Sequence, residues 1–192
     1  MGVMGLGVTG TALAIVLALL LLAAIWLYNR LIRAKIKARQ AWAQVAVQQQ
    51  RRHDLIPALV GVVQGNLTHE ADLLRQVTET RSRALTAGDH LARQQDEDAL
   101  SALLGRLLLI TEGMPTLRAD ETVRKLQTEL RATEDRLAFA RGFATDRVAR
   151  YRELTDTLPG MLIARPFGFP RGELFVREDE RAALAPDVRL GG

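Results

Sequence analysis

Trp42-Ala43-Gln44-Val45-Ala46-Val47-Gln48-Gln49-Gln50-Arg51-Arg52-His53-Asp54-Leu55-Ile56-Pro57-Ala58-Leu59-Val60-Gly61-Val62-Val63-Gln64-Gly65-Asn66-Leu67-Thr68-His69-Glu70 carries an apolar helical face that stops and then restarts. Trp42, Val45 and Val47 begin it; Leu55, Ile56, Leu59, Val62 and Val63 resume it. Between them Gln48 to Asp54 are seven polar residues in a row. At about 100° per residue such a run reaches every side of a helix. Some of these side chains therefore face a core or a partner. A buried polar group without a partner costs roughly 1–3 kcal/mol. Two readings follow: a paired polar layer, which is the simpler because buried polar groups are normally satisfied, or a belt that binds another protein.

Upstream, residues 1–29 hold no charged side chain, and Leu6 to Leu27 is apolar apart from Thr9 and Thr11. As a helix this run is about 33 Å long, enough for a hydrocarbon core of roughly 30 Å. Trp26 and Tyr28 close it, where amphipathic rings favour the membrane interface. We expect one transmembrane anchor in residues 1–29, spanning about 6–28. A cleaved signal peptide fits less well, because no basic residue precedes the run and it exceeds an h-region in length. Five basic residues follow the span (Arg30, Arg33, Lys35, Lys37, Arg39) and none precedes it. The positive-inside rule then puts the N-terminus outside and residues 30–192 in the cytoplasm, as expected of a single-pass membrane protein. The same five residues are candidate contacts for anionic lipid headgroups. Gly10, Ala14 and Ala18 form a small-residue row that would let two spans pair, so a homo-oligomer is one expected state.

Downstream, the first long helix is expected to end near Gly65-Asn66, with Pro57 marking a kink or a fresh start capped by Asp54. Gly61 and Gly65 offer room for a close helix approach. Thr68 is the expected N-cap of a second helix that Gly88 ends. Asp89 caps a third, whose face is Leu100, Leu103, Leu104, Leu107, Leu108 and Ile110. Gly113-Met114-Pro115 breaks it. Asp120 or Thr116 caps the last long helix, with Val123, Leu126, Leu130, Leu137, Ala140, Ala144, Val148, Tyr151, Leu154 and Leu158 at a spacing close to a heptad, the pattern of coiled-coil-like bundle packing. Pro159-Gly160 stops it. No window alternates with a period of two. The expected fold is all-α: an anchor, a bundle of about four long antiparallel helices over residues 30–160, and an irregular tail over 161–192. Pro166, Gly168, Pro170 and Gly172 oppose regular helix in that tail. Phe167, Phe169 and Phe175, three of the chain's five phenylalanines, are expected to strap it back over the bundle.

The chemistry-bearing patterns are sparse. There is no cysteine, hence no disulfide or thiolate site. His69-Glu70 opens like H-E-x-x-H, but Leu73 stands where the second histidine belongs. Asp89, Asp96, Glu97 and Asp98 read as a solvated acidic helix face and lack the ligand pattern of a calcium loop. No phosphate loop or nucleophile elbow occurs. The net charge of +4 is concentrated in the basic segment from Arg30 to Arg52, unlike the overall basic surface of a nucleic-acid binder. We therefore expect no catalytic, cofactor or metal site and no nucleic-acid partner. Gln48, Arg51, Arg52, Asp54, Glu134, Asp135 and Arg141 interrupt two otherwise apolar faces. They are the candidate partner-binding or polar-core set, and pairing across the first and last long helices would fix their register.

The quoted stretch resembles the LemA family in Ala41-Trp42, Val45/Val47, Gln48, Arg51-Arg52, Asp54-Leu55-Ile56-Pro57, Leu59-Val60, Gly65 and His69-Glu70. The resemblance continues through Ala99-Leu100, Leu107-Leu108, Pro115, Leu126-Gln127, Glu129-Leu130, Thr133-Glu134-Asp135-Arg136 and Ala140-Arg141. It closes on Pro159, Leu162-Ile163-Ala164, Phe167-Gly168-Phe169 and Phe175. It departs at Asn66-Leu67, Ala144-Thr145 and Tyr151-Arg152, where the family often has tyrosine or Tyr-Asn. The resemblance implies a bacterial membrane protein with one N-terminal span and a cytoplasmic helical bundle, and no agreed reaction. The resulting expectation is a scaffold or adaptor that binds an unidentified protein. The alternatives are a membrane-bound hydrolase or metal enzyme, and a lipid-surface or membrane-organising protein.

Overall fold

The computed structural model describes residues 3–169, all of whose regular elements are helical. The expectations about Pro170, Gly172, Phe175 and the terminal residues lie outside the described residues. Helix α1 runs Val3–Val63, α2 Ala71–Thr86, α3 His90–Gly113, α4 Pro115–Ala119, α5 Glu121–Asp156 and α6 Gly160–Ala164. They form two compact units. Among the described residues, one comprises those up to Ala41 together with 144–169, and the other is Trp42–Phe143.

In the Trp42–Phe143 unit, the later part of α1, α2, α3 and the first part of α5 enclose one apolar core. Ile56, Leu59 and Val63 of α1 meet Leu73, Leu74 and Val77 of α2, Leu100, Leu104 and Leu107 of α3, and Val123 and Leu130 of α5. These are the i, i+3, i+4 positions of each helix, as an amphipathic stripe requires. The helix starts use the side chains that local chemistry favours. The Asp89 carboxylate accepts from the Ala92 N–H at 3.2 Å. The Asp120 carboxylate accepts from the Thr122 and Val123 N–H groups at 2.7 and 3.1 Å. Each satisfies orphan donors of a first turn.

Three local expectations are corrected here. Pro57 does not start a fresh helix, because α1 continues through it. Its missing N–H leaves the carbonyl four residues back, on His53, without its helical partner. Arg81 Nε of α2 donates to that oxygen at 2.8 Å, so the defect becomes a docking point for the next helix. Thr68 does not cap α2. Leu67 is drawn into the core at 1% exposure, and the chain turns immediately after it through a 3-10 turn, Thr68–Glu70. Gly61 and Gly65 abut nothing that a side chain would meet, so neither serves a close helix approach.

In the other unit, α1 from Gly10 to Trp26 is exposed at every position except the half-buried Ala24. Among the described residues this is the one helix long and apolar enough to cross a membrane. Leu27, Leu31 and Ala38 of α1 are buried, as are Ala144 and Tyr151 of α5 and Ala164 of α6. Helix α5 ends at Asp156, earlier than Pro159, and Leu158 is 67% exposed rather than part of the buried face. The segment that follows is not wholly irregular, because Gly160–Ala164 closes a short helix. Gly160 is required there: a Cβ at that position would lie 1.8 Å from the Leu154 carbonyl oxygen. Phe167 and Phe169 set their edges against the Tyr28 ring at centroid distances of 5.3 and 5.6 Å. Phe169 is half-buried, while Phe167 stays largely exposed.

Candidate functional site

Arg52 lies at the centre of the Trp42–Phe143 unit and is completely buried. Its position follows from the helix period: Arg52 stands four residues before Ile56 and seven before Leu59, on the stripe that faces the core. Its guanidinium donates to Glu97 of α3 through both the carboxylate and, at 3.3 Å, the main-chain oxygen. It donates to the Glu134 carboxylate of α5 at 2.9 Å and to the Ser101 hydroxyl of α3. Ser101 in turn donates to Glu134 at 3.2 Å. One arginine thus ties three helices together with charge-assisted bonds. Burial lowers the Arg52 pKa, and the Coulombic pull and hydrogen bond of Glu134 act against that.

His53 contacts the other Glu97 oxygen, Nε2 to Oε1, at 2.8 Å. Burial first, then the charges of Arg52 and Arg81, lower its pKa to about 4, against a smaller opposing effect of Asp54. At neutral pH the ring is uncharged and its Nε2–H donates to the carboxylate. Its Nδ1, buried without a hydrogen-bond partner among the described residues, is then a bare lone pair. That is a smaller loss than an unmet N–H, because it forgoes only an acceptor.

Glu97 corrects the sequence reading of a solvated acidic face. It is 2% exposed and is the carboxylate on which the cluster is built. Its neighbours behave as surface groups. Asp96 accepts from Arg83 at 2.9 Å, and Asp98 accepts from Arg141 at 2.9 Å. The signal was present in the period of α3: continuing Leu104 and Leu100 back along the same stripe arrives at Glu97. Arg81 was missed as well, and its signal was the carbonyl freed by Pro57.

The other candidates separate. Arg51, Asp54 and Asp135 are exposed; Asp54 accepts from Gln50 at 2.8 Å. Of the basic set, Arg30, Arg33, Lys37 and Arg39 are exposed and Lys35 is half-buried. His69 is exposed in the 3-10 turn. Among the described residues no group of three or more His, Asp and Glu is placed to hold a metal ion.

Gln48 and Asp135 meet elsewhere, in a groove of about 480 Å³ lined also by Gln44 of α1 and by Arg136, Phe139, Ala140 and Phe143 of α5. The Phe139 and Phe143 rings stack at 6.3 Å and 16°, one turn apart on α5. Phe139 is 75% and Phe143 41% exposed, unusual for aromatic rings that a fold needs. The Gln48 side-chain oxygen at this groove is itself buried with no hydrogen-bond partner among the described residues. The groove therefore offers apolar rings to solvent, with the Gln48 oxygen buried beneath its surface.

The family model of the LemA family matches residues 41–190. No curated protein matches the chain.

Proposed function

The chain belongs to the LemA family, and from that premise we propose that it is a single-pass membrane protein whose helical body is a non-enzymatic adaptor. The observation that carries this reading is the groove formed by Gln44, Gln48, Phe139, Ala140 and Phe143. Its stacked, exposed rings suit the apolar face of a partner helix. Aromatic anchors in a pocket are the usual energetic centre of such interfaces. The buried cluster supports the same reading in a different way. Arg52 bonds Glu97 of α3 and Glu134 of α5, and His53 bonds Glu97, so the cluster ties α1, α3 and α5 together beside the groove. The bare apolar run Gly10–Trp26 and the basic residues after it support an inner-membrane anchor with the body on the cytoplasmic side.

The test is photo-crosslinking in native membranes with a benzophenone amino acid replacing Phe143. The reading expects one discrete protein adduct that disappears when Phe139→Asp is added and persists when the exposed Leu109→Asp is added. Adducts to lipid or to the chain itself alone would overturn the adaptor reading.

A further inference from the structure

The chain from the end of α5 through α6 and just beyond it presents more apolar surface than its fold uses. Leu158, Leu162 and Phe167 are 67%, 65% and 63% exposed within ten residues of chain. A soluble surface tolerates single apolar residues, but a cluster of three marks a surface with a partner. The contacts of this segment say what the partner is. Phe167 and Phe169 pack on Tyr28. Leu158 shares a cleft of about 490 Å³ with Leu27, Arg30, Arg150, Glu153 and Thr157. Leu27 and Tyr28 are the last residues of the apolar run. If that run crosses a bilayer, whatever touches its last turn lies at the depth of the headgroups. The charges agree: Arg30 stands over the Trp26 ring at 5.4 Å, its charge leaning back toward the span. Arg150 enters the same cleft from α5.

We propose that the Leu158–Phe167 elbow is a second membrane contact, built beside the base of the span. Leu158, Leu162 and Phe167 enter the acyl boundary, and Arg30 and Arg150 flank the phosphate of an anionic phospholipid in the cleft. Glu153, which also lines the cleft, disfavours a second anion there. A lone span leaves a body free to swivel about one helix. Two contacts at one depth fix the tilt and rotation of the α1 and α5 segments at the base of the span. Amphipathic rings and basic side chains are the residues that settle at this interface. The inference rests on the membrane-anchor reading.

The absence of cysteine makes the test clean. Single-cysteine variants Leu162→Cys, Phe167→Cys, Leu17→Cys and Leu109→Cys of the full chain are labelled with an environment-sensitive fluorophore and reconstituted in vesicles of phosphatidylglycerol and phosphatidylcholine. Quenchers are spin labels at a shallow or a deep acyl carbon, and aqueous iodide. The expected result is deep quenching at position 17, shallow quenching at 162 and 167, and iodide quenching alone at 109. Adding Arg30→Gln or Arg150→Gln should lower the ratio of docked to undocked elbow about five-fold for each charge removed from an anionic surface. Deep quenching at 17 with iodide quenching alone at 162 and 167 would overturn the proposal and leave the anchor standing. No lipid quenching at 17 would remove the anchor, and the proposal with it. Two probe sites on the elbow guard against a local effect of either label.

Discussion

Replacing Arg52 by methionine should be the most damaging single change in the Trp42–Phe143 unit. Methionine keeps much of the volume and removes the charge. Glu97 is then left at 2% exposure with only the neutral His53 N–H beside it. Glu134 suffers less, because its side chain is 27% exposed and can turn to water. Breaking a buried ion pair from one side costs about 3–5 kcal/mol. Most of that falls on Glu97. For a body of this size the loss lowers the melting temperature by roughly 10–15 °C. The assay is thermal unfolding of the full chain in detergent, followed by far-UV circular dichroism. Adding Glu97→Leu should restore most of the loss, because a buried pair replaced by apolar groups is often neutral to within about 1–2 kcal/mol. A drop below about 3 °C for Arg52→Met, or a double variant as unstable as the sum of its singles, would refute the reasoning.

Stability should also fall with acid through His53. Its folded pKa, about 4, lies below its ordinary 6.5, so the unfolded chain binds the proton more readily between those values. The contribution is fully present above about pH 6.5 and is lost as pH falls toward 4, amounting to about 3 kcal/mol; denaturant titrations of His53→Gln should lack that slope. Arg81→Ala should cost about 1–3 kcal/mol by leaving the His53 carbonyl unmet. The cost should shrink in a Pro57→Ala background, where the helical N–H returns to that oxygen, and a double-mutant cycle reads the coupling. Gly160→Ala should destabilise by about 1–3 kcal/mol through overpacking against Leu154. By contrast Gly142→Ala, in open space within α5, should stabilise by up to about 1 kcal/mol; paired melts distinguish the two.

The parts of this fold legible in sequence were those set by period and by local chemistry. The apolar faces of α3 and α5 were readable from spacing, and Asp89 and Asp120 were readable as caps because a carboxylate ahead of a helix has few other uses. Arg52 was legible only as one of several polar residues of which some had to point inward. Its main partner was not, since Glu97 sits between Asp96 and Asp98 and composition alone classes the three together. Their different fates follow from the helix phase, which separates neighbours by about 100°. The role of Pro57 was hidden for another reason: a proline tells which hydrogen bond is lost and says nothing of the side chain that replaces it. The groove at Phe139 and Phe143 was missed because those rings fall outside the apolar stripe, where attention to burial does not look.

An adaptor at the inner membrane and an elbow at the headgroups both require a transmembrane helix with the body in the cytoplasm, and one measurement bears on that directly. The Leu109→Cys variant, at a site 71% exposed, is expressed in bacterial cells and treated with a membrane-impermeant maleimide in intact spheroplasts and after permeabilisation. Membranes are also washed with alkaline carbonate. The account predicts no labelling until permeabilisation and full retention of the chain after the wash. Labelling in intact spheroplasts, or release by carbonate, would contradict a cytoplasmic body held by a transmembrane helix.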